Sequence, residues 1–335
     1  MIYNRTARFI YRGQTNWLQS FSGKLDPVFH ADYPLLLPLS IASSWDSMGH
    51  ESPDVPLILG GMFMLGCAGL FASGLAFVKS LSQAGVGLLI LLNTPVFLIW
   101  GAAQTADVPL AFFMLATAIL VYLYTSRRAP GLLVLAGLTS GLAGWTKNEG
   151  QLFVVVTGVS LLLAFLKSGA WPRLGYYLLG LFFPLAVIMC FRLFLAPTND
   201  LFGAGFVGAL HSSLDWHRHL TILGQYWQQL VSFGRSWIGV VPILLAYAVI
   251  FGSYPGKGSG RAVWIILLMV ALQLAGDYFV YLITPHPVAW QLEWSLERLL
   301  LQVYLPALFV ALVTLRDVSA LWAPTNGGTP RPSAA

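Results

Sequence analysis

Between residues 57 and 315 the sequence alternates long apolar runs with short polar segments. The runs cover about 57–78, 85–101, 108–124, 131–146, 151–166, 174–195, 236–252, 262–284 and 298–315. Several of them are close to the roughly 17 residues that a helix needs to cross a bilayer. The pattern predicts an all-α integral membrane protein whose transmembrane domain, residues 57–315, is a bundle of about nine helices.

The segments on either side of this transmembrane domain have a different pattern. Residues 1–56 carry scattered charges and aromatic side chains without a long apolar run, which predicts an extracytoplasmic loop segment with interfacial helices. Residues 203–230 mix histidines and tryptophans with apolar positions, and they also predict helices in the membrane interface. Residues 316–335 are rich in proline and glycine and predict a disordered cytoplasmic tail.

Basic residues in the loops predict the orientation of the helices. They fall in alternate loops, at Lys79, Arg127, Arg128, Lys167, Arg173, Lys257, Arg261 and Arg316. Because short loops rich in Lys and Arg remain in the cytoplasm, nearly every carboxylate is predicted on or near the extracytoplasmic face. The same orientation places residues 1–56 outside, so we expect a leading transmembrane helix before them.

Composition limits the class of protein. The chain is 57% hydrophobic and 9% charged, with a mean hydropathy of +0.73, whereas a soluble domain is about a quarter charged. The formal net charge is +5, but the positions of the basic residues in short loops indicate topology, so we predict no nucleic-acid partner. Cys67 and Cys190 lie inside apolar runs and predict neither a disulfide nor a metal site.

The first candidate chemistry lies at the ends of two consecutive apolar runs. Asp107 precedes the first run and Lys147 and Glu149 follow the second, so an out-and-back helix pair places all three at one membrane face. Asp107 before Val-Pro is also typical of a helix N-cap, and Lys147 with Glu149 is typical of an interfacial ion pair. The functional interpretation is a carboxylate that binds or deprotonates an acceptor, beside a lysine that binds a lipid phosphate.

Two further clusters lie on the same predicted face. His30, Asp32 and Tyr33 precede a proline and a leucine run, which is typical either of a turn or of a loop that dips into the bilayer surface. Arg298 follows Glu297 at the predicted start of the last span. This arginine either snorkels beside the glutamate or clamps a phosphate.

Two other groups of polar residues leave alternatives open. Asp277 lies inside an apolar run, where a carboxylate is either functional or paired with a neighbouring helix. Three histidines lie close together, at His211, His217 and His219. Because they lack a matching carboxylate or cysteine pattern, we predict no metal ligands among them.

Four motifs together resemble bacterial membrane glycosyltransferases of the GT-C class. They are Thr-Ala-Asp-Val-Pro-Leu at 105–110, Trp-Thr-Lys-Asn-Glu-Gly at 145–150, His-Ala-Asp-Tyr-Pro-Leu-Leu-Leu-Pro at 30–38 and Ser-Leu-Glu-Arg-Leu-Leu at 295–300. The branch resembles the dolichyl-phosphate-mannose–protein mannosyltransferase type, which includes the lipid A aminoarabinose transferase. The resemblance covers about residues 3–315.

The resemblance implies an enzyme of the bacterial inner membrane. It would move a sugar from a polyprenyl-phosphate donor to a lipid, glycan or protein acceptor on the extracytoplasmic face, with a divalent cation assisting in some members. Attack at the anomeric carbon needs a base, and the departing phosphate needs cations. We assign catalytic roles to Asp107, Glu149 and Asp32. We assign substrate binding to Lys147, Asn148, His30, Tyr33 and Arg298, with Arg8 and Arg12 as further cations.

The sequence departs from the family pattern at its N-terminus. Family members carry an acid in the first outer loop, just after the first transmembrane helix, and residues 2–9 resemble the stretch that follows that acid. A truncated, non-catalytic remnant of such an enzyme is therefore one alternative. A secondary transporter is another, although the sequence shows no internal repeat of the kind that transporters contain.

Overall fold

The computed structural model describes residues 2–22, 30–197, 213–236, 238–253 and 259–321. Within these ranges the chain forms helices and short connections, with one isolated bridge between Ser253 and Leu315. The all-α prediction is therefore confirmed. The helices are α1 (Ile2–Gly13), α2 (Leu36–Met48), α3 (Asp54–Val78), α4 (Leu81–Leu92), α5 (Pro95–Ala102), α6 (Asp107–Arg127), α7 (Pro130–Thr146), α8 (Asn148–Leu166), α9 (Leu174–Phe194), α10 (Trp216–Ser232), α11 (Val240–Phe251), α12 (Gly260–Ile283) and α13 (Val288–Thr314). Short 3-10 helices add Gln14–Phe21, Trp171–Arg173 and Val318–Leu321.

The apolar helices define a membrane protein. Among the described residues, six helices are long and apolar enough to cross a bilayer, namely α3, α6, α8, α9 with the preceding 3-10 turn, α12 and α13. The pair α4 and α5 bends by 67°, and α7 and α11 are shorter apolar helices. The predicted runs thus form helices, but the predicted count of about nine full spans is not confirmed.

The bend between α4 and α5 follows from a Thr-Pro step in the run predicted at 85–101. Pro95 is the first residue of α5, and Thr94 before it has φ −98° and ψ 94°. A residue that precedes proline is pushed away from helical geometry by the proline ring. The apolar pattern alone does not show this break, because both halves are equally hydrophobic.

Helices α6 and α13 form the centre of the bundle. Their apolar windows are 78% and 72% buried, whereas the corresponding window of α3 is 17% buried. The outer helices expose large apolar side chains such as Leu65 and Phe182, as expected for helices that face lipid. The two central helices are therefore the scaffold that positions polar residues inside the bundle.

Helix α7 is held tightly by its neighbours although it is short. A Cβ built on Gly137 would lie 2.0 Å from the Tyr177 carbonyl oxygen of α9, and one built on Gly180 would lie 1.8 Å from the Val134 carbonyl oxygen of α7. Small residues allow such close backbone contact between membrane helices. At the turn into α8, a Cβ on Gly150 would lie 1.9 Å from the Ala143 carbonyl oxygen. This packing fixes the turn that carries Lys147.

The N-terminal segment folds as helices against the bundle. Helix α2 begins at Leu36, and Leu35 and Leu37 are buried in the protein. The leucine run therefore forms the start of a helix, and the side chains of Leu35 and Leu37 pack inside the protein. Trp45 also donates a 2.8 Å hydrogen bond from its indole nitrogen to the Ser52 carbonyl oxygen, which fixes the end of α2.

Two C-terminal predictions change in the structure. Helix α13 begins at Val288, so Arg298 lies well inside a helix instead of opening it. The polar residues before Arg298 continue the helix because their apolar neighbours Leu292 and Leu296 are buried on one face. In the predicted tail, Val318–Leu321 forms a 3-10 turn, and residues 322–335 lie outside the described ranges.

Candidate functional site

The site is built around the carboxylate of Asp107, which is completely buried at the start of α6. Its Oδ1 accepts hydrogen bonds from Lys147 Nζ at 3.0 Å and from Gln302 Nε2 at 2.8 Å. Its Oδ2 accepts one from Arg298 Nε at 2.8 Å. Residues from α6, α13 and the α7–α8 turn therefore meet at one carboxylate, as a buried charge requires partners.

The simple capping interpretation of Asp107 is wrong. The N-cap of α6 is Ala106, and no side chain caps the helix. Asp107 is the first residue of the helix itself. Its carboxylate turns toward Lys147 and Arg298 instead of back to the free amides, because two cations compete for it more strongly than neutral donors.

Lys147 links Asp107 to Glu149. It has extended geometry between α7 and α8, with φ −158° and ψ 160°, and its side chain is only 5% exposed. Its Nζ lies 2.7 Å from Glu149 Oε1. Burial by itself lowers the pKa of Lys147, but the carboxylates of Asp107 and Glu149 outweigh burial and raise that pKa above its usual value. The two carboxylates therefore favour the charged form of the lysine.

A second network joins the predicted residues Asp32 and Asn148. Asn148 Nδ2 donates to Asp32 Oδ2 at 3.0 Å. Arg192 of α9 donates to the Asp32 carbonyl oxygen at 3.1 Å, to Asn148 Oδ1, and to Gln151 Oε1 at 3.1 Å. This arginine is a site residue that sequence reasoning missed. The sequence did contain a signal, because a basic residue lies near the end of the apolar run at 174–195. That end is predicted on the same membrane face as the start of α8.

His30 and Tyr33 lie beside this network. Their rings stack at 4.7 Å between centroids, and the Tyr33 ring lies 6.1 Å from that of Tyr3 in α1. Burial, followed by the nearby Glu149 charge, raises the pKa of the Tyr33 hydroxyl above its usual value. Tyr33 is therefore a neutral hydrogen-bonding group at physiological pH.

Arg298 is the more accessible of the two cations that hold Asp107, with 26% of its side chain exposed. Its guanidinium lies 5.1 Å from the centre of the Trp100 ring. The adjacent Glu297 accepts a hydrogen bond from Trp100 Nε1 at 3.3 Å and forms a bidentate pair with Arg235 at 2.7 Å. Sequence reasoning missed both Trp100 and Arg235, because their partners are distant in the chain.

Asp277 lies near the backbone of Glu149, to which Gln273 connects it. It is 2% exposed, and its Oδ1 accepts a hydrogen bond from Gln273 Nε2 at 3.3 Å. The same amide donates to the Glu149 carbonyl oxygen at 3.3 Å. Oδ1 of Asp277 is thus paired within its own helix through Gln273, whereas its Oδ2 has no hydrogen-bond partner among the described residues.

The described residues do not fit a bound divalent cation at Asp107. Both of its oxygens already accept hydrogen bonds from cationic or amide donors, and two positive charges oppose a third cation. No group of three or more His, Cys, Asp or Glu within the described ranges is placed to hold a metal. Of the predicted histidine cluster, His211 lies outside those ranges, and His219 bonds to the Tyr278 hydroxyl and the Ser213 carbonyl oxygen.

Comparison with known proteins supports the fold. Two crystal structures of ArnT from Cupriavidus metallidurans are similar to this chain, one in the apo state and one bound to undecaprenyl phosphate. Their TM-scores are 0.54 and 0.55, at 14% and 13% sequence identity, and the match covers 93% of this chain. The chain spans 54–55% of the length of those proteins. This chain therefore shares the fold of the matching part of those ArnT structures. No protein-family model and no curated protein sequence matches.

Proposed function

We propose that the protein is a membrane glycosyltransferase that takes a sugar from a polyprenyl-phosphate donor and transfers it to an acceptor at the extracytoplasmic face. The observation that carries the proposal is the pair of cations, Lys147 and Arg298, that Asp107 holds at one end of the bundle. Helix α6 has Asp107 as its first residue and Arg127 as its last, so the predicted cytoplasmic loop lies at the opposite end.

The cations match the leaving group of such a reaction. An acceptor hydroxyl attacks the anomeric carbon, the bond from that carbon to the phosphate oxygen breaks, and the polyprenyl phosphate departs with the electron pair. Arg298 is partly exposed and can contact that phosphate through the guanidinium nitrogens that do not bond to Asp107, while buried Lys147 adds positive potential. Asp107 acts as a positioning residue for both, because its oxygens are already occupied.

Glu149 is suited to take the proton of the acceptor. Its Oε1 pairs with Lys147, whereas its Oε2 has no hydrogen-bond partner among the described residues. A general base must come within hydrogen-bond reach of the acceptor hydroxyl, and this unpartnered oxygen belongs to a side chain that contacts Lys147 of the proposed phosphate site. Asp32, held by Asn148 from the adjoining network, lies where it can orient the sugar or the acceptor.

A transfer assay tests this function. The full chain is reconstituted in liposomes with a panel of radiolabelled polyprenyl-phosphate sugars and envelope lipid extract as acceptor. We expect transfer by the wild type and at least about tenfold less by Arg298→Gln, since a charge-assisted contact to phosphate is lost. Lys167→Gln, at the opposite end, is the matched control and should transfer normally. A folded wild type that neither binds polyprenyl phosphate nor transfers any sugar would contradict the proposal.

A further inference from the structure

A groove of about 620 Å³ lies between α1 and the following 3-10 helix. Arg5, Arg8 and Arg12 line one wall, because residues three and four positions apart share a helix face. Asn16, Gln19 and two serines line the other wall. Among the described residues that line it, none is a carboxylate. The groove therefore presents many hydrogen-bond donors and positive charge.

Glu51 shows how Arg8 and Arg12 bind an anion. Arg12 Nη2 lies 2.8 Å from Glu51 Oε2, its Nε contacts the other oxygen, and Arg8 Nε lies 3.5 Å from Oε2. Two guanidiniums of the groove thus bind one carboxylate, and that carboxylate itself lies outside the groove lining. The side chains of Arg8 and Arg12 are still 51% and 68% exposed. Two positive charges held by one negative charge leave a net attraction for a further anion.

We propose that this groove binds the phosphate group of an anionic ligand through Arg8 and Arg12. The planar guanidinium donates two parallel hydrogen bonds to phosphate as it does to a carboxylate. The three acceptor oxygens of a phosphate match the donors on both walls better than a single carboxylate does. The site uses none of the residues around Asp107, so it goes beyond the proposed transfer reaction and is measured without it.

Binding to the purified full chain tests the proposal in two arms. One arm titrates inorganic phosphate by calorimetry, and the other adds dioleoyl phosphatidic acid and counts bound lipid by native mass spectrometry. Binding of free phosphate identifies a soluble ligand, whereas binding of the lipid alone identifies a membrane headgroup. We expect R8Q/R12Q to bind about tenfold more weakly in the arm that shows binding.

The double variant K167Q/R173Q removes the same two charges elsewhere and should bind like the wild type. Equal weakening in this control, or no binding in either arm, would overturn the proposal. If R8Q/R12Q does not fold, R8K/R12K keeps the charge but not the two-pronged geometry, and it should also bind more weakly. Glu51→Gln removes the competing anion and should bind severalfold more tightly. A folded Glu51→Gln protein that no longer binds would equally contradict the proposal.

Discussion

Arg298 Nε lies 2.8 Å from Asp107 Oδ2, although the two residues are 191 positions apart in the sequence. The contact joins the first turn of α6 to α13, the two most enclosed helices of the bundle. It is therefore both a structural link and the centre of the proposed site, and substitutions there should change stability and activity together.

Asp107→Asn should destabilise the protein strongly. The substitution leaves buried Lys147 with Glu149 as its one remaining carboxylate and partly exposed Arg298 beside a neutral amide, and breaking a buried ion pair from one side costs up to about 3–5 kcal/mol. Thermal unfolding in detergent should show a lower midpoint and reduced transfer activity. Glu293→Gln, an exposed change on α13, is the control. Equal midpoints for the two variants would show that Asp107 does not hold the bundle.

Gly137→Ala should loosen the contact between α7 and α9. The new methyl group would lie 2.0 Å from the Tyr177 carbonyl oxygen, so the two backbones must move apart. Overpacking of this kind costs about 1–3 kcal/mol or more. Gly131→Ala on the same helix has nothing within 4 Å and serves as the control. The thermal midpoint should fall for Gly137→Ala alone, and a fall for both would point to a general helix effect.

Arg192→Lys should impair turnover more than folding. A lysine cannot contact Asp32, Asn148 and Gln151 at once, because it lacks the rigid planar fork of arginine. We expect about a tenfold loss in kcat/KM with a thermal midpoint close to that of the wild type. Arg173→Lys, at an exposed position, controls for the change of side chain. Unchanged kinetics in Arg192→Lys would remove this network from the site.

The docking of α1 should weaken in acid. The hydrogen bond from Arg12 is the main cause that lowers the pKa of Glu51 below its ordinary value of 4.5. A carboxyl group whose folded-state pKa is lowered stabilises the fold above its unfolded pKa, and this contribution is lost as the pH falls through the folded pKa. The thermal midpoints of wild type and Glu51→Gln should therefore differ at neutral pH and converge as the pH falls through the lowered pKa of Glu51. If the two thermal midpoints still differed in acid, the ionisation of Glu51 would not be the cause of the difference.

The sequence predicted the helices and the grouping of three charged residues, but not the full set of contacts. Two consecutive spans must return to the same face, so Asp107, Lys147 and Glu149 could be placed together from topology. Gln302 and Arg192 lie within apolar runs. The sequence pattern of a single helix does not show which neighbouring helix a given side chain contacts. The 67° break at Thr94 was not predicted because the apolar run continues across it, and the early start of α13 was not predicted because polar residues precede Arg298.

The length of α7 has a consequence for how a substrate arrives. With 17 residues, it rises about 25 Å, less than the roughly 30 Å hydrocarbon thickness of a bilayer. One of its ends must therefore lie below a bilayer surface, and we expect this to be the end with Lys147, at the boundary between the hydrocarbon and the lipid headgroups. A water-soluble sugar nucleotide would have to descend into that boundary, whereas a donor anchored by its own lipid tail reaches it by diffusing sideways within the leaflet.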